Sequence, residues 1–148
     1  DMYQKGANLL HSIRNSMDDD DKFRQILRGL NETFYHRTVT SAQVENFISG
    51  NAEFDYSKVF DQYLRTVQIP VFEYYFDNEK KNVFYRYTNC LPGFDLPLVL
   101  KNKNVEIKIY PSGKWNNTEV SIDEAGLFNE KILENKYYIY VKELKGKH

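Results

Sequence analysis

The apolar pattern of the chain changes period at Pro70, and no other feature constrains its fold as strongly. Before that proline, apolar side chains recur every three or four positions. Leu10, Ile13 and Met17 form one stripe, and Phe23, Ile26, Leu27, Leu30 and Phe34 form a second. Such spacing gathers side chains on one face of a 3.6-residue helix, so two amphipathic helices are expected. Between them stands "DDDD", Asp18 to Asp21, where carboxylates cap the second helix and meet the positive end of its dipole. The alternating ligands and central glycine of a calcium loop do not follow it, which favours capping. "TSAQVENFISG" predicts a third helix, with Thr40 and Gln43 as a capping box, Val44, Phe47 and Ile48 as its buried face and Gly50 as its stop. "DYSKVFDQYLR" predicts a fourth, with Val59, Phe60, Tyr63 and Leu64 on one side. Together the four occupy roughly residues 4 to 65.

After Pro70 the period falls to two, and β-branched and aromatic residues crowd in. Strands are expected at 71–76, 82–88, 96–100, 105–110, 118–123, 128–133 and 137–144, separated by turn-forming breaks such as "DNEKKN", "LPGFD" and "PSGKWNN". Val105, Ile107 and Ile109 alternate with Glu106, Lys108 and Tyr110, the mark of one core face and one wet face. Seven short strands at even spacing predict a small antiparallel sandwich of immunoglobulin-like kind. The fold class is therefore α+β in two parts, a helical segment over 1–66 and a β-sandwich over 67–148. The joint, "TVQIP", is too short for a flexible linker, so the parts are expected to pack together.

Charge and composition exclude several function classes. Lys plus Arg (20) nearly balance Asp plus Glu (21), so no net field draws the chain to nucleic acid or to an anionic membrane. No apolar run approaches the ~18 residues of a membrane helix, and no secretory leader opens the chain, so a targeting signal would lie upstream. The single cysteine, Cys90, cannot form an internal disulfide and leaves the compartment open. Without a neighbouring base it reads as a structural thiol. The three histidines, 11, 36 and 148, lack the spacing of a zinc site, and His11 reads as a packed or hydrogen-bonded structural residue. "NET" at 31–33 and "NNT" at 116–118 match a glycosylation sequon, a pattern common by chance. Trp115 is read as an aromatic that flanks a turn and covers the edge of the sandwich, rather than as a carbohydrate-stacking ring.

The chain opens on "DMYQKGANLLHSIRNSM", a Tyr-x-Lys-Gly element leading straight into an amphipathic helix without an initiating Met. Natural termini more often fray through polar residues first, so this start is expected to be an internal point of a larger protein. The whole stretch through "FDQYL" resembles the end of the catalytic domain in the aminopeptidase N family of zinc aminopeptidases, which includes the leukotriene hydrolases. The matching pieces run in order over residues 2 to 64: Tyr-x-Lys-Gly-Ala, "LLHSIR", an acidic turn before "FRQILRGL", then "TVTSAQVENF" and "FDQYL". The resemblance implies a thermolysin-like catalytic domain whose helical end is residues 1–66, followed by a small β domain. It implies that Tyr3 lines the active site and donates a hydrogen bond to the oxyanion of the tetrahedral intermediate. It also implies peptide substrates, a metal-activated water and a zinc ion. The zinc ligands, the H-E-x-x-H helix and a following glutamate, together with the Gly-x-Met-Glu-Asn strand, would lie upstream of Asp1. Lys5 and Gly6 are read as structural, Gly6 for close packing of the helix start and Lys5 without an identified partner.

On this resemblance the chain is the carboxyl-terminal portion of a zinc aminopeptidase, bound to an upstream catalytic domain and inactive when isolated. Its first helix would bring Leu9, Leu10, Ile13 and Met17 to the missing zinc-bearing helices, so the isolated fragment is expected to self-associate. The alternative is a non-catalytic β-sandwich module for binding or structure, with the helices as its support. An H-E-x-x-H before Asp1 in the complete reading frame discriminates between the two.

Overall fold

The computed structural model describes the backbone of residues 2–145 and the side chains of residues 5–145; the side chain of Tyr3 and all of His148 lie outside the described residues. Four helices come first: α1 (Met2–Met17), α2 (Asp20–Phe34), α3 (Ser41–Asn51) and α4 (Ser57–Arg65). Asp19 caps α2 by accepting from the amide of Lys22, and Thr40 and Gln43 form the expected capping box at α3. α3 runs one residue past Gly50 and closes on Ala52, so that glycine lies in the last turn and is not the stop.

The β part holds β1 (Val71–Phe76), β2 (Asn82–Thr88), β3 (Leu98–Lys101), β4 (Glu106–Ile109), β5 (Asn116–Glu119) and β6 (Tyr140–Glu143), with the short helices α5 (Ile122–Ala125) and α6 (Glu130–Lys136) before β6. A four-stranded sheet has the order β5-β2-β1-β6, and β3 and β4 form a two-stranded sheet. β1 and β2 are an antiparallel hairpin in register from Val71 opposite Thr88 to Phe76 opposite Val83. Alternation sends Phe72, Tyr74, Val83, Tyr85 and Tyr87 into the core, while Glu73 and Arg86 pair on the other face at 2.9 Å.

The fold is mixed α and β, but the all-antiparallel sandwich of seven strands requires correction. Residues 130–136 are helical where a strand was expected. Asn129 caps α6 through the amide of Ile132, and Leu133 and Tyr137, four apart, turn into the core. The expected strand at 118–123 divides into β5 and α5; Ser121 and Glu124 form a capping box, the S-x-x-E signature of a helix start. α6 is also part of the return path that sets β6 parallel to β1, Val71 opposite Tyr140, because parallel neighbours require a crossover.

One apolar core joins the two parts, running from Leu9, Ile13, Val59 and Tyr63 through Phe94 to Phe72, Leu98 and Leu133. The stripe of α1 is used inside the chain. Leu9 and Ile13 are buried, Ile13 completely, and Met17 packs on the same core. Among the described residues of α1, Leu10, 37% exposed, is the large apolar side chain left at the surface. α1 is occupied by α2, α4, α6 and β3, which removes the basis for self-association through that stripe. Among the described residues, no helix is long and apolar enough to cross a membrane.

Candidate functional site

The Tyr-x-Lys-Gly element falls in the first two turns of α1, and Tyr3 has helical backbone there. Two positions further on, Lys5 finds a partner that sequence spacing could not suggest. Its Nζ donates to the carbonyl oxygen of Thr66, 61 residues away, at 2.5 Å. Thr66 is the residue that ends α4, so the ammonium sits at the negative end of that helix dipole. The Thr66 hydroxyl donates to the carbonyl of Gln62 at 2.7 Å and accepts from Gln62 Nε2 at 3.0 Å.

Gln62 has no exposed surface, and a buried amide must be hydrogen-bonded to be tolerated there. Its Nε2 also donates to the carbonyl of Gln68 at 2.9 Å, and its Oε1 accepts from the amide of Leu91 at 2.6 Å. A continuous string of polar contacts thus runs from the start of α1, through the end of α4 and the joint, into the loop after β2. Gly6 plays no part in it. Among the described residues a Cβ at Gly6 would meet nothing within 4 Å, so the expectation that Gly6 serves close packing does not hold within this chain.

The loop after β2 continues the seam. Phe94 packs edge-on against Tyr63 of α4, with centroids 5.8 Å apart, and against Tyr87 of β2 at 4.7 Å. Tyr63 Oη donates to the carbonyl of Tyr138 at 2.5 Å, and Tyr87 Oη to that of Leu96 at 2.7 Å. Burial holds both phenols well above their ordinary pKa, so they remain donors at any working pH.

Asp95, next to Phe94, is a group that sequence reading passed over as part of a turn. Burial first, then the Asp55 carboxylate, push its carboxyl up to about 6, against the opposing pull of Lys58 and the backbone amide. Its Oδ1 is buried without a hydrogen-bond partner among the described residues. The available signal was an acid placed between Phe94 and Leu96, both of which are buried. Because the folded pKa exceeds the unfolded value of ~3.9, the linked stability is fully present below that value and is lost as pH rises through 6. Asp95→Asn is therefore expected to stabilise the chain at roughly pH 7.5, by on the order of 1–2 kcal/mol after allowance for partial solvation. Thermal unfolding of both proteins at roughly pH 5 and pH 7.5 checks this, since the gain should shrink at the lower pH. Equal differences at the two pH values would remove Asp95 as the titrating group.

The other residues singled out by sequence are held in structural roles. His11 Nε2 lies 3.0 Å from the carbonyl of Asn135, joining α1 to the end of α6. Each residue of "DDDD" has its own partner: Asp18 meets Lys101, Asp19 caps α2, Asp20 pairs with Arg14 and Asp21 with Arg24. Cys90 is half-buried, and burial raises its thiol pKa, which leaves it a poor nucleophile. Trp115 lies edge-on to Tyr75 with the Arg86 guanidinium 4.5 Å over its ring, so one face needed for sugar stacking is taken. Among the described residues, no three metal-ligating side chains gather at one point. The Lys5–Thr66 hydrogen bond thus joins the first turns of α1, where Tyr3 lies in the chain, to the end of α4. No family model and no curated protein matches the chain.

Proposed function

We propose that the chain is the carboxyl-terminal portion of a zinc aminopeptidase of the aminopeptidase N type, an enzyme that removes amino-terminal residues from peptides. The observation that carries this reading is the ordered series of motifs over residues 2 to 64, from Tyr-x-Lys-Gly to "FDQYL". In this reading α1 to α4 are the helical end of a thermolysin-like catalytic domain. The β part, a mixed four-stranded sheet and a two-stranded sheet with two short helices, is then the small β domain that follows it.

The chain contributes a phenol and a scaffold. An unperturbed tyrosine, with a pKa of ~10, is a hydrogen-bond donor at neutral pH. Tyr3 would donate to the oxygen that gains negative charge when the scissile carbonyl is attacked, a charge absent from the bound substrate. The described residues do not fit a zinc site, and on this reading its ligands belong to the segment upstream of Asp1. Lys5 and Thr66 make the reading coherent, because they give the lysine of Tyr-x-Lys-Gly a defined task two positions from the phenol.

The test uses the full-length protein and the chain from Asp1 to His148 side by side. The full-length protein is expected to contain an H-E-x-x-H segment, to hold one zinc ion and to hydrolyse aminoacyl-anilides. The isolated chain is expected to do neither of the last two, since a tyrosine alone activates no nucleophile. A full-length protein without zinc or turnover would overturn the proposal. Zinc-dependent turnover by the isolated chain would show that the chain is itself a whole enzyme.

A further inference from the structure

Among the described side chains of α1, the first buried apolar anchor is Leu9, and the first hydrogen bonds to the β part are made by His11 and by Ser12, whose Oγ accepts from the amide of Tyr138 at 2.7 Å. Ser16 adds a contact still further along, accepting from Tyr56 Oη at 3.0 Å. Six residues separate Tyr3 from Leu9, a lever of about 9 Å at 1.5 Å per residue. A tilt of only about 6° around Leu9 therefore moves the start of the helix by about 1 Å. A hydrogen-bond donor aimed at a developing oxyanion does not tolerate such a displacement, since a misplacement of that size can cost ~10² in rate.

Lys5 stands on this lever, and its contact with the carbonyl of Thr66 opposes the tilt. The Thr66 end of the contact is itself held. Thr66 is bonded to the buried Gln62, and Gln62 to Leu91 and Gln68, so the carbonyl that receives Lys5 is fixed by α4, the joint and the β part together. We propose that Lys5 is a positioning residue, holding the first turn of α1, and with it Tyr3, in the orientation the reaction requires. The inference rests on the peptidase reading above. It adds to that reading a route by which the β part, remote in sequence, sets the position of the phenol.

A double-mutant cycle in the full-length enzyme tests the inference. Lys5→Met keeps the aliphatic stem and removes the donor. It is expected to lower kcat by ~10–100-fold, with KM changed by less than about threefold and zinc content unchanged. Lys5→Arg, which keeps a donor of similar reach, is expected to recover most of that loss. The deciding readout is the background dependence. In Tyr3→Phe the further effect of Lys5→Met should shrink to less than about threefold, because the group being positioned is gone. If Lys5→Met fails to fold, Lys5→Gln, too short to reach Thr66, runs the same cycle. Nearly wild-type kcat in Lys5→Met beside a severely impaired Tyr3→Phe would overturn the role of Lys5 and leave the peptidase reading standing. Losses that multiply fully in the double variant would also overturn it, showing that Lys5 acts on the fold rather than through Tyr3. Full activity in Tyr3→Phe would also overturn the role of Lys5, since no phenol would need positioning, and would leave the peptidase reading to the zinc and turnover test above.

Discussion

Phe94→Ala is expected to destabilise the chain by ~3–5 kcal/mol, the cost of emptying a buried aromatic site that cannot collapse. Phe94 is 1% exposed and packs against rings of both parts of the molecule, Tyr63 on α4 and Tyr87 on β2. Two edge-on contacts are lost with it, each worth ~0.5–1.5 kcal/mol beyond the area buried. The neighbours are poorly placed to fill the space, because the phenols of Tyr63 and Tyr87 are tied to the carbonyls of Tyr138 and Leu96. In a chain of 148 residues each kcal/mol lowers the melting temperature by roughly 2–4 °C, so a fall of about 10 °C is expected. Calorimetry checks the size of the effect, and it also checks whether the variant still unfolds in one transition. A loss below about 1 kcal/mol would mean that the seam is held elsewhere.

That seam was the part of the fold least visible in the sequence. Helices α2, α3 and α4 announce themselves through spacing, and the Thr40 and Gln43 capping box is legible because both its bonds join residues three apart. β1 and β2 are equally legible, since alternation over six or seven residues is a local signal. α6 was not. "FNEKIL" places its apolar residues at 128, 132 and 133, a run too short to separate period two from period 3.6, and the capping role of Asn129 decided the outcome. The direction of β6 was hidden for a different reason, because strand order is decided by contacts between residues about 70 positions apart. The candidate site shows the same division. The Tyr-x-Lys-Gly element can be read directly, but Lys5 and its Thr66 partner are joined only by the fold. Gln62 sits among the apolar residues of α4 and looks like a solvent-facing polar position until Leu91 is brought to it. Buried polar groups of this kind escape periodicity arguments, since their partners come from other elements.

On the proposed aminopeptidase reading, Tyr3→Phe in the full-length protein is expected to lower kcat by ~10²–10³ while leaving KM within a few-fold of its original value. In the bound substrate the scissile carbonyl is neutral and interacts weakly with a phenol, so removing the hydroxyl should barely change binding. After attack the same oxygen is an anion, and a donor held in place beforehand lowers its energy without having to reorganise. Loss of one such donor appears almost wholly in the chemical step. Phenylalanine preserves the ring, and the melting temperature of the variant serves as the control for stability. Zinc content should remain at one ion per chain, because the phenol is a donor and not a ligand. Steady-state kinetics on an aminoacyl-anilide, with metal analysis of the same preparation, decide the matter. Wild-type kcat would exclude Tyr3 from transition-state stabilisation, and loss of zinc would assign it to the metal site instead. A rise in KM with kcat unchanged would show that the hydroxyl binds the substrate and its transition state equally, which is contact without catalysis.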